Sequence, residues 1–304
     1  MARPYPETLL ELARSDERVF GVSCECWGCV APLAREFPHR AVEVGIAEQN
    51  LIGVSAGLAA RGKIPFAHGM APFLTMRCFE QIRDDVAYGK RNVKIVSAYS
   101  GGLSMSNQGI THHAIEDMAL MRLIPGMAVV MPSDASETEK AARAAAAHDG
   151  PVYLCLAGGS HAGTDESRPF ELGKAVTLRE GSDVAIIAAG PMVREALRAA
   201  TLLAERGISA RAINMHTVKP LDRETVLAAA SQTRLVVTLE EHTVVGGLGG
   251  AVAEVVAEAG LGTPVKRLGL QDTFAWLVAE YEELKQHYGL TAEAVVRLVE
   301  EAGG

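Results

Sequence analysis

Residues 41–62 read AVEVGIAEQNLIGVSAGLAARG, and this stretch decides the fold. Its first residues are apolar and β-branched, as in a buried strand, and the small apolar residues that follow predict a tightly packed helix ending at Gly62. Glu48 lies at the junction of the two elements. A carboxylate at such a junction is either a partner of the helix terminus or a partly buried group with a chemical role, because burial raises a carboxyl pKa.

The alternation of strand and helix recurs along the chain. It predicts an α/β fold of two doubly wound domains, each with a mostly parallel sheet that helices cover on both faces. Residues 159–173 are polar, rich in glycine and without periodicity, which is typical of a linker. We therefore predict a first domain over 1–158, a linker over 159–175 and a smaller second domain over 176–304. Apolar residues at helical spacing predict one helix over residues 73–89.

Length, charge and composition exclude several classes of protein. The chain has 304 residues, which is enough for two domains. Its composition, with 48% hydrophobic and 22% charged residues, is typical of a folded protein. A net charge of −8 without any run of Lys or Arg argues against nucleic acid or an anionic membrane as the main partner. No stretch is apolar enough to span a membrane. Five cysteines, an odd number, and a first segment unlike a signal peptide lead us to expect a cytoplasmic protein.

Two further stretches suggest binding sites, and each has a simpler explanation. Cys24, Cys26 and Cys29 could bind a soft metal, but no second cysteine cluster supplies further ligands, so we predict no metal site and expect the cluster to line a cleft. Residues 244–256 read VVGGLGGAVAEVV and lead from a strand into a helix. Their glycines lack the G-x-G-x-x-G spacing of a dinucleotide loop, which favours a turn in which glycine permits close packing.

A second candidate for chemistry is the loop NQGITHHAIED, residues 107–117. Paired histidines can ligate a metal, act as general acid or base, or only hydrogen-bond within a loop. Adjacent side chains in an extended loop point apart, so chelation of one metal by His112 and His113 is disfavoured. One histidine that faces a cleft is the favoured interpretation.

Five stretches, taken in order, resemble the C-terminal portion of transketolase. They are VEVGIAEQNLIGVSAGLAARGKIPF (42–66), FEQIRDDVAYGKRNVKIV (79–96), GITHHAIEDMALMRLIPGMAVVMPSDASE (109–137), INMHTVKPLD (213–222) and LEEHTVVGGLGGAVAE (239–254). The resemblance extends over residues 5–298, and in particular to split transketolases, whose N- and C-terminal portions are separate chains. It implies a domain that binds the pyrimidine of thiamine diphosphate, followed by a smaller transketolase C-terminal domain.

The resemblance also implies roles for residues near the cofactor. Glu48 matches the glutamate that hydrogen-bonds N1′ of the aminopyrimidine, a contact that promotes loss of the proton at thiazolium C2. Phe73 matches an aromatic residue that packs on the pyrimidine ring, with Phe66 and Phe79 as neighbours. Ile46 lies beside the cofactor by its place in the motif.

Other residues are implied to face the substrate. His112 matches a histidine that assists proton transfer or oxyanion stabilisation. Gln108 replaces the aspartate that usually touches sugar hydroxyls, and His113 is a further candidate. Residues 156–160, LAGGS, lack the arginine that usually grips the substrate phosphate. Either His113 or the partner chain supplies a replacement, or the substrate carries no phosphate there.

The family's site for diphosphate and Mg²⁺ is a GDG…N motif on the other portion, and this sequence has none. The resemblance therefore implies an N-terminal partner subunit that holds these groups, in an α2β2 assembly. The implied function is a transketolase or related carboligase, which passes a two-carbon ketol or related acyl unit from a sugar or ketoacid donor to an aldehyde. Alternatives are a β-type subunit of a 2-oxoacid dehydrogenase, a deoxyxylulose-phosphate-synthase-like enzyme and a non-catalytic partner subunit.

Overall fold

The computed structural model describes residues 4–156 and 170–303. They form two mostly parallel sheets with packed helices, which confirms the predicted α/β class with two doubly wound units. The predicted linker over 159–175 lies mostly outside the described residues, and the domain limits remain a prediction. The strands are β1 (Val19–Ser23), β2 (Ala41–Glu43), β3 (Ile64–Gly69), β4 (Lys94–Ser97), β5 (Ala128–Val130), β6 (Val152–Cys155), β7 (Val176–Arg179), β8 (Val184–Ala188), β9 (Ala210–Asn214), β10 (Thr217–Lys219), β11 (Leu235–Thr243) and β12 (Val265–Leu270).

Most connections between parallel strands contain a helix, as a doubly wound fold requires. The α-helices are α1 (Tyr5–Ser15), α2 (Trp27–Glu36), α3 (Glu48–Ala60), α4 (Phe79–Gln81), α5 (Asp117–Leu123), α6 (Ala135–Ala147), α7 (Met192–Ala204), α8 (Arg223–Gln232), α9 (Leu248–Glu258), α10 (Tyr281–His287) and α11 (Ala292–Gly303). Within the described part of the chain, no helix is both long and apolar enough to cross a membrane.

The first sheet contains one strand from the second half of the chain. Its order is β10-β5-β6-β4-β3-β1-β2, and its pairs are parallel except β10 with β5. β10 follows β9 within three residues, yet β9 pairs in the other sheet. Nearby, the Asn214 side-chain amide donates to Glu137 Oε1 at 2.8 Å, and both residues are buried. The two halves of the chain therefore share a sheet edge and a buried polar contact.

The second sheet has the order β12-β11-β8-β9-β7, with β7 antiparallel to β9 and the other pairs parallel. β8 is buried along its whole length, because helices pack on both faces of a parallel sheet. The helices α7 and α11 pack against each other, and their buried apolar residues join one core with those of β8 and β11. Burial of this apolar surface is the main source of the domain's stability.

The segment predicted as one helix over 73–89 has a different geometry. Phe73–Arg77 and Ile82–Tyr88 are π-helical, and the short α4 lies between them. A π-helical turn holds an extra residue, which rotates the following side chains relative to a regular helix and is frequent at functional sites. The apolar spacing predicted a helix but carried no signal for the wider turns.

The glycine-rich turn before α9 has the close packing that its sequence favoured. Glu240 is buried and accepts the backbone N–H groups of Leu248 at 2.6 Å and Gly249 at 2.8 Å. A Cβ at Gly247 would lie 2.0 Å from Glu240 Oε2. The helix N-terminus, which in a dinucleotide site would hold phosphate, therefore binds a carboxylate of its own chain.

Candidate active site

Glu48 is the first residue of α3 and lies where the first sheet's parallel strands end. Its side chain is 5% exposed, and its Oε2 accepts a hydrogen bond from Arg77 Nη1 at 3.0 Å. Burial, with a smaller contribution from the neighbouring Glu48, raises the pKa of the Cys24 thiol, so Cys24 is a neutral neighbour of the carboxylate. Glu48 is therefore a buried acceptor at the carboxyl edge of the sheet, where α/β proteins bind ligands.

A line of contacts leads from Glu48 to His112. The guanidinium carbon of Arg77 lies 4.3 Å from the centroid of the Phe73 ring, within cation–π range. The ring of Phe73 in turn meets the His112 ring edge to face, with centroids 5.1 Å apart. His112 Nδ1 lies 2.8 Å from the Thr111 hydroxyl oxygen. Three residues predicted from separate motifs are thus joined through Arg77.

Arg77 was not among the predicted site residues. Its position four residues after Phe73 is close to one helical turn, and this spacing could have indicated a side chain on the same face. Its side chain is 49% exposed, whereas Glu48 is buried, so the pair lies at the boundary between core and solvent.

Apolar side chains are exposed along this edge of the sheet. Ile46, two residues before Glu48, is 68% exposed, and Met76, beside Arg77, is 44% exposed. Tyr99 follows β4 and Ile110 lies in the loop before His112, and both are more than a third exposed. Several exposed apolar residues on adjacent loops are typical of a surface that binds a ligand or another protein.

The remaining predicted residues differ in how far they are exposed. Phe79 is half-buried and packs against a hydrophobic core cluster that contains residues from both halves of the chain, and Phe66 is fully buried in β3. Gln108 is exposed, and its side-chain amide lies 3.5 Å from Asn107 Oδ1. Of residues 156–160, where an arginine was expected in the family, 157–160 lie outside the described residues.

His113 is buried, with 2% of its surface exposed, unlike the half-buried His112. Its Nδ1 lies 2.8 Å from the carbonyl oxygen of Ala275, in the second domain. Nε2 is also buried and has no hydrogen-bond partner among the described residues. In this chain by itself the ring does not reach the surface, and its predicted contact with substrate remains a prediction.

The cysteine cluster contains neutral thiols. Burial raises the pKa of Cys26 to about 12 and that of Cys29 to about 11. No group of histidine, cysteine and carboxylate side chains within residues 4–156 and 170–303 has the arrangement of a metal site. Cys26 precedes α2, and its backbone N–H donates to Ser23 Oγ at 3.0 Å. That the cluster lines a cleft remains a prediction.

Comparison with known proteins identifies the family. Residues 3–160 match the family model described as transketolase, pyrimidine binding domain, and residues 173–295 match transketolase, C-terminal domain. The chain belongs to the transketolase family. Glu48, Phe73 and His112 all lie within the part that matches the pyrimidine-binding domain of transketolase.

Relatives of similar length are subunits of transketolases. The chain is 44% identical to the 6-deoxy-6-sulfo-D-fructose transketolase subunit of Clostridium sp. (strain MSTE9), with 98% of this chain and 92% of the relative covered. It is 40% identical to a subunit of the apulose-4-phosphate transketolase of Phocaeicola vulgatus, with 97% and 95% covered. A solved split-gene transketolase, described as an inactive β4 tetramer, superimposes with a TM-score of 0.90 at 41% identity over 98% of this chain and 96% of that chain. This chain is accordingly a C-terminal subunit of the split-transketolase type.

Proposed function

We propose that this chain supplies the pyrimidine-binding and substrate-facing half of a two-chain transketolase. The complete enzyme would transfer a two-carbon ketol unit from a ketose donor to an aldehyde acceptor. The observation that carries this proposal is the continuous line of contacts from Glu48 through Arg77 and Phe73 to His112. It joins a buried hydrogen-bond acceptor, an aromatic face and an imidazole along one edge of the sheet.

Transketolases use thiamine diphosphate, and the residues at this edge suit its pyrimidine half. When bound, the cofactor supplies the carbon nucleophile of the reaction. We propose that Glu48 accepts a hydrogen bond from the pyrimidine N1′, because its carboxylate is buried and aimed by the start of α3. Phe73 would contact the flat face of the ring and exclude water from it. Ile46 would lie beside the ring, and Phe79 would contribute from the core side.

His112 and Gln108 are proposed to act on the substrate. His112 packs on Phe73, and an imidazole there can donate a hydrogen bond to a substrate oxygen or move a proton at it. Gln108 is exposed in the same loop and can both donate to and accept from sugar hydroxyls. His113 would influence the substrate through the loop rather than by contact, since its ring is buried.

The diphosphate and Mg²⁺ would be held by an N-terminal subunit, because this sequence has no GDG…N motif. We propose an α2β2 assembly in the cytoplasm, where the free cysteines remain reduced. The exposed Ile46 and Met76 beside the buried Glu48 support a site that a second chain covers. The partner would be the product of a gene that encodes the GDG…N portion.

Residues 156–160 lack the arginine that usually binds the substrate phosphate in this family. We therefore propose that the donor of this enzyme carries no phosphate at that place. The buried ring of His113 offers no ready replacement on this chain. The two relatives are subunits of enzymes named for a sulfonated and for a phosphorylated sugar, so the acidic group of the named sugar differs between these two enzymes.

The test is to purify this chain alone and with the N-terminal subunit. We expect micromolar binding of thiamine diphosphate with Mg²⁺, and ketol transfer, only from the pair, with a mass that corresponds to α2β2 by light scattering. Donors should include a ketose, its phosphate and its sulfonate. An unphosphorylated or sulfonated donor should match or exceed the phosphate in kcat/KM. Turnover by this chain alone would refute the partner proposal, and a strong preference for xylulose 5-phosphate would refute the donor proposal.

A further inference from the structure

The loop that contains Gln108 and His112 is closed at its base. Gly102 and Ala114 form an antiparallel bridge, in which the Ala114 N–H donates to the Gly102 carbonyl at 2.8 Å. We name residues 102–114 the substrate loop. Because the bridge fixes only the two ends, other contacts must determine where the His112 side chain lies.

One contact comes from the second domain to the start of the substrate loop. Glu241, a buried residue of β11, accepts the Leu103 N–H on Oε1 at 2.5 Å and the Tyr281 hydroxyl on Oε2 at 2.8 Å. A Cβ at Gly102 would lie 2.7 Å from Glu241 Cδ, so the loop backbone is in direct contact with the carboxyl group. Loss of a buried hydrogen bond of this kind is costly because the backbone N–H would be left without a partner, so the bond restricts the loop backbone.

A second contact reaches the end of the substrate loop. A carbonyl oxygen can only accept a hydrogen bond. His113 Nδ1 must therefore be protonated and donate to the Ala275 carbonyl oxygen. Ala275 belongs to the segment between β12 and α10. The same segment lies against Gly109, where a Cβ would be 2.9 Å from Val278 Cγ2.

Both contacts cross between the domains, and both side chains are buried. We infer that Glu241 and His113 are positioning residues, through which the second domain fixes the substrate loop and keeps His112 against Phe73. This inference rests on the proposed function, because that function gives the loop its substrate. It assigns the second domain a part in catalysis that requires no contact with the substrate.

The test uses the complex of both subunits and two pairs of variants. Glu241→Leu and His113→Leu remove the hydrogen bonds at similar volume. Glu241→Gln can accept from Leu103 and donate to the Tyr281 oxygen, and His113→Asn places an amide donor where Nδ1 lies. The readouts are kcat and KM for the ketose donor, exchange of the proton at cofactor C2, and amide hydrogen exchange of residues 103–116.

We expect the two leucine variants to assemble and to retain C2 exchange, since Glu48 is unchanged. Their kcat/KM should fall by about 10- to 100-fold, the size expected for a misplaced catalytic group, and amide exchange in the substrate loop should rise. The Gln and Asn variants should return to within about threefold of wild type. Leucine variants with unchanged kcat/KM and unchanged amide exchange in the loop would overturn the inference. It would also be overturned if C2 exchange fell as much as kcat/KM, because that result indicates general unfolding.

The amide exchange measurement separates this inference from the proposed function. If the wild-type complex shows no ketol transfer, the proposed function is wrong, whereas looser substrate loops in the leucine variants would still support positioning. If the wild-type complex is active and the loops of the leucine variants stay protected, the positioning inference is wrong and the proposed function stands.

Discussion

Replacement of Glu241 by Gln should change the pH dependence of folding stability. Burial raises the pKa of Glu241 to about 7, against the lowering effects of the bonds from Leu103 and Tyr281 and of the charge on Lys285, while Asp117 raises it further. The ordinary pKa of a glutamate carboxyl is 4.5. Between these two pH values the native protein keeps a proton that the unfolded chain has lost.

The direction and size of the effect follow from this difference. Because the native state binds more protons than the unfolded state between about pH 4.5 and pH 7, the free energy of unfolding falls as pH rises through that range. At about 1.4 kcal/mol for each pH unit, Glu241 lowers the stability by roughly 3 kcal/mol above neutral pH relative to acid. Glutamine does not titrate, and its amide can satisfy the same two partners, so the variant lacks this decrease.

The assay is urea unfolding of wild type and Glu241→Gln between about pH 5 and about pH 8. At each pH, the difference between their free energies of unfolding cancels the contributions of all other titrating groups. The variant should gain stability relative to wild type by roughly 2–3 kcal/mol as pH rises. Glu224→Gln, at a site that is 87% exposed, is the matched control and should show no such trend. A constant difference, or one that shrinks with rising pH, would show that the buried carboxyl is ionised throughout and would refute the reasoning.

Three further predictions concern the cofactor residue and the packing of the fold. Glu48→Gln should leave the fold unchanged and slow proton exchange at C2 in the two-chain complex by about 100-fold or more. If the exchange rate did not change, Glu48 would not be a catalytic residue. Gly247→Ala should lower the free energy of unfolding by about 2–4 kcal/mol, because its Cβ would lie 2.0 Å from a buried carboxylate oxygen. The control Gly57→Ala, in open space on α3, should instead raise the free energy of unfolding by about 0.5–1 kcal/mol. Tyr5→Phe should cost about 1–3 kcal/mol in urea unfolding, because it leaves buried His68 Nε2, 2.8 Å from the lost hydroxyl, without its partner.

Local sequence patterns predicted the parts of the site that depend on local structure. Glu48 was predicted at a strand–helix junction, and α3 does begin at that residue. Residues 107–117 were predicted to form a loop, and residues 107–116 do lie outside any helix, with α5 beginning at Asp117. Apolar periodicity and turn residues specify such features because they depend on neighbours close in sequence. The roles of the side chains came from family resemblance and not from periodicity.

Contacts between distant parts of the chain could not be predicted in the same way. Arg77 pairs with Glu48 across 29 residues, and His113 contacts Ala275 across 162 residues. β10 joins the first sheet although its neighbours in sequence belong to the second. Neither hydrophobic spacing nor turn chemistry encodes these pairings, because each depends on how elements distant in sequence pack together. The π-helical turns around Phe73 were also missed, because apolar spacing indicates a helix without distinguishing a π-helical turn from an α-helical one.

The charges at this edge give a further reason for a second chain. Arg77 lies beside Glu48 and is paired with its carboxylate, so it is not free to neutralise a diphosphate. The chain as a whole carries a net charge of −8. A diphosphate brought to this edge therefore needs positive charge from elsewhere, and a Mg²⁺ ion held by another subunit would supply it. These charges support the proposed two-chain enzyme alongside the missing GDG…N motif. We expect binding of thiamine without its diphosphate to depend far less on the partner than binding of the complete cofactor.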